Sequence, residues 1–457
     1  MAAIVYPRML GAFPLGRLRR WPRASYPSDP LLPGTPMTVR SPLRWLLVLA
    51  LATGASLLLH AVPANGARGM EVAISDEDAM VKGTGGDLGL AFRTAQALNA
   101  TRMRILVEWA RVSDANDPVA SSNPDYDWGP IDRAIDTAAS YGMRTQLALA
   151  GPPPAYASGT GRVSIPIWTP DAAAYGNFAR AAAAHFQGRV DRYSIWNEPN
   201  YPSWLEPRSQ SPQLYRALYE AGYAAIKSVD PSAQVLIGET VPYGGKAIVD
   251  TGKKGKDGKP IRRGKRLGLA AAPLRWLRAV ACVNARYRRI GNCTPLHADG
   301  YAHHPYDLEF GAATGSPLSK TFPGADNAPI QTLPNLRKAL DKLAGVGALA
   351  TPGGKPLNIY LTESGYFVSG KRKLAAAKRA KYLPQQFQIA ATQPRVREML
   401  QYNVFAPSSG FTTGLLTPDG RPLAEYKTLL AWTRRAAKGG LIKRNTGPIM
   451  LPPAPLS

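Results

Sequence analysis

Cysteine, histidine and acidic residues are scarce in this chain of 457 residues, which has 2 cysteines, 5 histidines and 31 Asp and Glu against 56 Lys and Arg. The basic excess gives a formal charge of +25 and raises the question of a nucleic acid or another anionic surface as partner. The 45% hydrophobic content is ordinary for a globular protein and sufficient for a sizeable core. Length alone allows one large domain or about two to three average ones.

The basic residues concentrate in the run from Lys246 to Arg266, which is rich in Gly, Lys and Arg and has almost no apolar residues. Aromatic side chains that could stack on bases are absent from it, and no recognisable nucleic-acid-binding motif accompanies it. These absences argue against sequence-specific binding of nucleic acid and leave loose adhesion to acidic polymers open. The composition predicts a solvated loop.

The two cysteines, Cys282 and Cys293, lie close together in the sequence. Their spacing allows a local disulfide that closes a short loop, which would stabilise the fold by roughly 2 to 3 kcal/mol. Two unrelated buried thiols are the alternative. Export of the chain would favour the disulfide.

Long apolar runs are missing except near the N-terminus. Residues 1–36 are rich in Pro and Arg and predict disorder or a mis-assigned start, with translation from Met37 as the alternative. Residues 37–64 have a basic head, an apolar run over 45–59 and small residues after it, which predicts a secretory signal peptide cleaved near Ala64. The run is shorter than the about 20 residues of a membrane span. We therefore expect a secreted, otherwise soluble protein, with an uncleaved N-terminal anchor through residues 45–59 as the alternative.

From Met70 onward, short β-type runs alternate with longer helical patterns. Strands are predicted at 70–74, 102–108, 144–150, 190–196, 234–238, 299–303, 358–362 and 399–404. Helices are predicted at 87–98, 131–141, 171–186, 213–229, 273–289, 331–344, 371–392 and 423–437. Such alternation over residues 69–437 predicts a single α/β domain, a (β/α)8 TIM barrel with loop insertions, rather than two open sheets. Residues 438–457 are predicted to form a C-terminal tail.

Two predicted strands end on a carboxylate. The fourth ends in Asn197-Glu198-Pro199, because Pro199 cannot extend a sheet ladder, and the seventh ends at Glu363. A salt-bridged or helix-capping Glu is the ordinary interpretation of one such residue. In a barrel, however, reactive groups gather at the C-terminal ends of the strands. Hydrolysis of a glycosidic bond with retention needs two carboxyl groups about 5 to 5.5 Å apart, and these two strands would face each other across the mouth.

The Asn-Glu-Pro triplet and the Thr-Glu-Ser-Gly segment resemble the signatures of clan A glycoside hydrolases, which are retaining enzymes on (β/α)8 barrels, in particular the cellulase-like family 5 and the xylosidase-like family 39. The resemblance covers roughly residues 70–436. It implies that Glu198 is the acid/base, with a raised pKa, and that Glu363 is the nucleophile. It also implies that Asn197 hydrogen-bonds the sugar 2-hydroxyl.

The predicted sixth strand is similar to clan members in its His-x-Tyr segment. The similarity implies that His304 lines the sugar subsite and that Tyr306 holds the nucleophile. Metal binding or polar packing is the alternative for His303 and His304, although adjacent side chains on a strand point to opposite faces, which argues against joint chelation. On the second strand, Arg104 and Trp109 are similar to the Arg-x-x-x-x-Trp pattern of related barrels, which implies that Arg104 lies beside the nucleophile, where its charge would keep the carboxyl group ionised. A structural ion pair is the alternative for Arg104.

Other strand ends carry further candidates. Glu108 and Glu239 lack a preceding Asn and are interpreted as structural or subsite residues. Many clan members have a Trp at the end of the eighth strand, where this sequence has none. Either Phe405 or Phe411 replaces it, or the sugar subsite differs from that of the clan. Sugar rings stack on aromatic side chains, so an aromatic cleft is expected. The residues predicted to line it are Trp109, Trp204 and Phe405.

These features predict a retaining O-glycoside hydrolase that cleaves β-glycosidic bonds in a polysaccharide, oligosaccharide or glycoside. We expect a monomer with a carbohydrate partner, no metal or organic cofactor, and no membrane contact beyond the N-terminal anchor. A catalytically silent glycan-binding barrel at the cell surface is one alternative. A basic protein that adheres to acidic polysaccharide or nucleic acid through residues 246–266 is another.

Overall fold

The computed structural model describes residues 68–113, 126–255, 260–266, 269–307, 316–319 and 322–448. The predicted N-terminal segments 1–36 and 37–64 lie outside the described residues, and so does the end of the predicted tail. Among the residues that are described, none of the helices combines the length and the apolar character that crossing a membrane requires.

Parallel strands close into a barrel in which each strand pairs with the next one along the chain and the last pairs with the first. The strands are β1 (Glu71–Ser75), β2 (Ala100–Glu108), β3 (Arg144–Ala150), β4 (Val190–Ile195), β5 (Gln234–Thr240), β6 (Gly300–His303), β7 (Ile359–Leu361) and β8 (Val396–Tyr402). The predicted (β/α)8 barrel is thereby confirmed. The last strand lies earlier in the chain than the predicted 399–404.

A helix follows each barrel strand. The helices are α1 (Leu88–Ala97), α2 (Gly129–Ser140), α3 (Ala172–His185), α4 (Ser211–Val229), α5 (Pro273–Val280), α6 (Leu333–Gly345), α7 (Ala376–Thr392) and α8 (Ala424–Lys438). Their starts follow the local sequence: Asp171 accepts a hydrogen bond from the Ala174 amide (2.7 Å) and caps α3. Pro212 lies in the first turn of α4, where a missing N–H has no cost.

The predicted helix over 273–289 is wrong beyond Val280. Cys282 has a φ of +50°, which a right-handed helix does not allow, and Val283 and Arg289 then form an antiparallel bridge. Cys282 and Cys293 are joined by a disulfide, which confirms the predicted pairing.

The basic run is also different from the prediction. It forms a two-stranded antiparallel ribbon, Lys246–Lys254 paired with Pro260–Arg266, instead of a loop. The β-branched residue types at 248, 249 and 251 favour extended backbone in the first strand, and hairpin pairing satisfies the backbone N–H and C=O groups. We call this element the basic ribbon.

The barrel interior is polar at its floor. Arg192 donates from Nη1 to Glu398 Oε2 (2.6 Å) and Glu71 Oε2 (2.8 Å), and Arg102 Nε donates to the same Glu71 oxygen (3.1 Å). Arg104 lies two residues after Arg102 on β2, so its side chain points to the same interior but one step closer to the mouth. The alternation of side chains along β2 thus places Arg102 at the floor of the barrel and Arg104 nearer its mouth.

Candidate active site

Glu198 and Glu363 meet at the C-terminal face of the barrel, just beyond β4 and β7. A carboxylate oxygen of each lies within 4.8 Å of the other, and their residues are only 8% and 6% exposed. The chain turns sharply beyond β4, where Trp196 and Glu198 have φ values of +67° and +43°. Left-handed backbone at residues other than glycine is costly and concentrates at functional sites. The structure therefore brings together the two carboxylates that the sequence analysis placed at one rim.

Arg104 connects the groups of this face from below. Its side chain is fully buried and donates from Nη1 to Glu363 Oε1 (3.1 Å). Nη2 donates to Asn197 Oδ1 (3.1 Å) and to Glu239 Oε2 (3.2 Å). The guanidinium fork thus fixes one carboxylate oxygen of Glu363 and leaves the amide NH₂ of Asn197 as the group that can donate to a ligand.

His304 and Tyr306 reach the same cluster from the end of β6. Tyr306 donates from its hydroxyl to Glu363 Oε2 (3.1 Å). His304 Nδ1 lies 3.0 Å from Glu198 Oε1, whereas His303 points away, with Nδ1 2.9 Å from Thr240 Oγ1. The two adjacent histidines therefore face different environments, as the strand alternation predicts.

Glu239, at the end of β5, lies at the centre of the cluster. It is fully buried, and its Oε2 lies 2.6 Å from His304 Nε2 and accepts a hydrogen bond from Thr362 Oγ1 (2.8 Å). From the sequence, Glu239 is interpreted only as a structural or subsite residue, because no Asn precedes it and it lies next to the basic run. Its position at the end of a predicted barrel strand was the signal that could have placed it here. Glu108 instead pairs with Arg111 at a partly exposed site.

The charges of the cluster depend on one another. Burial disfavours the charged form of His304, but Glu363, Glu198 and Glu239 outweigh this effect and raise the pKa of His304 to about 10. Burial likewise acts against ionised Glu239, but Arg104 and His304 lower its pKa to about 2. Burial raises the pKa of Glu363, aided by the facing carboxylates, while His304 and Arg104 act in the opposite direction. Three carboxyl groups beside two cations favour retention of one proton in the cluster.

Glu198, His304 and Glu363 also offer three potential metal-ligand atoms within 4.8 Å of one another. A histidine nitrogen binds a metal through a lone pair, which a protonated nitrogen lacks. Both ring nitrogens of His304 face carboxylate oxygens, and its pKa is raised to about 10. The arrangement therefore fits a hydrogen-bonded ion cluster better than a metal site.

Trp109 does not line the mouth of the barrel. The chain turns into one helical turn, Trp109–Val112, directly after β2, and the Trp109 ring is fully buried, stacked on Phe178 of α3 with 5.3 Å between ring centroids. The turn directs the indole into the layer between strands and helices. The expectation that Trp109 contacts the sugar is corrected accordingly.

Phe405 is a core residue rather than part of an open cleft. It is 3% exposed, and its ring lies against Gly86, where a Cβ would clash with it. Phe411 takes the more accessible place: it is half-buried, with its ring centroid 5.9 Å from that of Tyr306. Of the two aromatic residues weighed as substitutes for the missing Trp, Phe411 is the one beside the site. Trp204 is half-buried on the loop after β4, where its carbonyl accepts a hydrogen bond from the Trp196 indole (2.8 Å).

Comparisons with solved structures agree with the barrel. A family 39 glycoside hydrolase from the gut symbiont Bacteroides cellulosilyticus WH2 superposes with a TM-score of 0.52 at 16% identity, covering 80% of this chain and 64% of that one. A glucosidase from Croceicoccus marinus gives a TM-score of 0.50 at 14% identity, covering 82% of this chain and 69% of that one. No protein-family model and no curated protein sequence matches the chain. This chain thus spans less than two thirds of the family 39 enzyme, and the likenesses support the clan A resemblance at the level of the fold.

Proposed function

We propose that this protein is a retaining O-glycoside hydrolase that cleaves β-glycosidic bonds, with Glu363 as the nucleophile and Glu198 as the acid/base. The observation that carries the proposal is the pair of buried carboxyl groups at the barrel mouth, whose nearest oxygens lie within 4.8 Å. Retaining glycosidases have their two carboxyl groups about 5 to 5.5 Å apart, whereas inverting enzymes need about 6.5 to 9.5 Å to admit a water molecule. The spacing therefore supports double displacement.

In the first step, Glu363 attacks the anomeric carbon while Glu198 gives its proton to the leaving oxygen. The bond between the anomeric carbon and that oxygen breaks, and a glycosyl ester of Glu363 forms. In the second step Glu198 takes a proton from water, the water oxygen bonds to the anomeric carbon, and Glu363 leaves as a carboxylate.

The neighbouring groups match the needs of these steps. Arg104 and Tyr306 each donate to a different oxygen of Glu363, so they orient the carboxylate for attack and stabilise it as a leaving group. His304 contacts Glu198 and lies 3.5 Å from Glu363, so its positive charge moderates the repulsion between the two. Asn197 is held through its oxygen, and its NH₂ is positioned to bond the sugar 2-hydroxyl.

The cellular setting is a separate proposal that rests on residues 37–64 of the sequence. We propose that the enzyme is exported, or held at the membrane through residues 45–59, and acts as a monomer on extracellular carbohydrate. Detection of a chain that begins near residue 65 in the culture medium would support cleavage and release.

The proposed roles are tested by Glu198→Gln and Glu363→Gln, assayed on aryl β-glycosides with good and poor leaving groups. Glu363→Gln is expected to lose activity on all of them by about 10⁴-fold or more, because an amide at this position cannot form the ester. Glu198→Gln is expected to lose most activity on poor leaving groups, since good ones need little protonation.

Glu108→Gln is the matched control, because Glu108 is a carboxylate at the C-terminal end of a barrel strand, β2, but pairs with Arg111. It should retain wild-type activity. Activity of either Glu198→Gln or Glu363→Gln within a few-fold of wild type on poor leaving groups would reject the assignment. Retained glycan binding by a wild-type protein that turns over none of the glycosides would favour the catalytically silent barrel.

A further inference from the structure

Arg372 is an exposed cation held at a fixed place on the catalytic face. It lies in the loop between β7 and α7, with its guanidinium 4.0 Å from the ring centroid of Phe367 and 5.3 Å from that of Phe411. Among the residues that the structure describes, no carboxylate lies within ion-pair distance of it. Stacking on aromatic rings orders the guanidinium while its N–H groups stay directed at solvent or a ligand.

Aromatic rings connect Arg372 to the catalytic groups. The ring centroid of Phe411 is 5.9 Å from that of Tyr306, whose hydroxyl bonds Glu363. Tyr243 interacts electrostatically with both Arg372 and Glu198. Burial has the largest effect on the pKa of Tyr243 and raises it, whereas Arg372 lowers this pKa and Glu198 raises it. Phe411 and Tyr306 thus form a continuous chain of contacts from Arg372 to Glu363, which places Arg372 on the same face of the barrel as the carboxyl pair.

The basic ribbon begins at the same rim. Its strands leave the barrel just after Gly245, whose amide donates to Ala270 on the returning chain (2.9 Å). Asn200 holds together the two chain segments from which the ribbon extends, because its Nδ2 donates to the carbonyls of Val241 (3.2 Å) and Ala271 (2.9 Å). Asn200 is two residues beyond Glu198, so the ribbon is rooted beside the proposed acid/base. Residues 246–266 contain nine Lys and Arg and two Asp.

We propose that the substrate is an anionic glycan, whose carboxylate or sulfate group Arg372 binds in a subsite next to the carboxyl pair and whose outer residues lie along the basic ribbon. A stacked guanidinium that has no carboxylate partner within the described part of the chain matches the planar, bidentate geometry of such oxyanions. The excess of Lys and Arg in the sequence of a ribbon that is rooted at this rim raises the local concentration of a polyanion and its rate of association. Nucleic acid fits less well, because the ribbon has no aromatic residue on which bases could stack. The inference rests on the proposed glycosidase function.

The first test compares aryl β-glycosides that differ only in whether C6 is a carboxylate, a sulfate ester or a plain hydroxymethyl group. The kcat/KM of the wild type on one of the two charged glycosides is expected to exceed that on the neutral glycoside by about 10-fold or more. Arg372→Met should lower kcat/KM on that charged substrate by about 10- to 100-fold, the range for a lost charge-assisted hydrogen bond, and leave the neutral one within a few-fold. Arg434→Met, on the exposed surface of α8, is the control and should change neither.

The second test measures binding with full-length Glu198→Gln protein in affinity electrophoresis through neutral dextran, dextran sulfate or polygalacturonate. Retardation is expected in one of the acidic polymers only, and it should weaken with salt. It should also decrease when Lys253, Lys254, Arg262 and Arg263 of the ribbon are replaced by Gln. Stronger retardation by single-stranded DNA than by either acidic polysaccharide would overturn the inference.

The two proposals fail differently. Hydrolysis of the neutral glycoside at least as efficient as that of both charged ones, with Arg372→Met changing none of the three and both carboxyl variants inactive, would keep the glycosidase and overturn the anionic substrate. Absence of any hydrolysis together with salt-sensitive binding of acidic glycans would overturn the catalytic assignment and keep the anionic ligand.

Discussion

Replacement of Arg104 by Met tests how the cluster keeps Glu363 ionised. The Arg104 guanidinium lies 3.1 Å from Glu363 Oε1 and 3.2 Å from Glu239 Oε2. Methionine retains an unbranched apolar side chain but removes the charge and the hydrogen bonds to Glu363, Glu239 and Asn197. Because burial already raises the pKa of Glu363, loss of this cation should raise it further, and the nucleophile should be protonated at a higher pH.

The size of the effect follows from the contact. An opposite charge at this distance lowers a carboxyl pKa by about 1 to 3 units, so the acid limb of kcat/KM should move up by a similar amount. Each unit corresponds to about 1.4 kcal/mol, or a tenfold loss of activity on that limb. Removal of one partner from a buried ion cluster should also lower the free energy of unfolding by about 3 to 5 kcal/mol.

The assay is the pH dependence of kcat/KM on an aryl glycoside, which reports ionisations of the free enzyme. Arg102→Met is the matched control, because Arg102 lies on the same strand, is equally buried, and pairs with Glu71 at the barrel floor. Arg102→Met should lower the free energy of unfolding by a similar amount, but its kcat/KM should have the same acid limb as that of the wild type. An unchanged acid limb in Arg104→Met, or an equal shift in both variants, would refute the reasoning.

Three other predictions concern stability and the subsite. Burial raises the pKa of Asp307 from 3.8 to about 7, so the folded state binds more protons than the unfolded state between these pH values. The free energy of unfolding of the wild type should therefore fall by about 4 kcal/mol as the pH rises through that window. Urea unfolding of Asp307→Asn should show no such fall, and an equal fall in this variant would contradict the prediction. The double variant Cys282→Ser/Cys293→Ser should unfold with about 2 to 3 kcal/mol less free energy and be insensitive to dithiothreitol, whereas the wild type should be sensitive. Phe411→Ala should raise KM by about 3- to 10-fold at little cost in stability, while Phe405→Ala should cost about 3 to 5 kcal/mol; the reverse pattern would return Phe405 to the sugar subsite.

The barrel could be predicted from the sequence because its strands are short apolar runs bounded by polar turns, which is a local property. Two elements could not. The helix after β5 was extended past Val280 because nothing in the apolar pattern marks the left-handed backbone at Cys282. The basic ribbon was missed because pairing of Lys246–Lys254 with Pro260–Arg266 depends on contacts between strands, and its composition suggests a loop.

The site was predictable where a strand end alone determines a position. Glu198 and Glu363 follow strands of one barrel, so the topology forces them to one rim. The role of Glu239 depends instead on how far the Arg104 and His304 side chains extend inside the barrel, which no spacing along the chain reveals. The predicted contact of Trp109 with the sugar is wrong for a related reason, since one helical turn after β2 directs the indole away from the mouth.

The central claim is that Glu363 forms a covalent bond to the sugar, and trapping that ester tests it most directly. A 2-deoxy-2-fluoro dinitrophenyl glycoside of the sugar that the enzyme hydrolyses best would be used, because the fluorine slows both steps and the reactive leaving group restores the first. Proteolysis and mass spectrometry should then find one sugar ester, on Glu363. An ester on Glu198 or Glu239, or hydrolysis of the probe without any trapped ester and with inversion of the anomeric centre, would contradict the account.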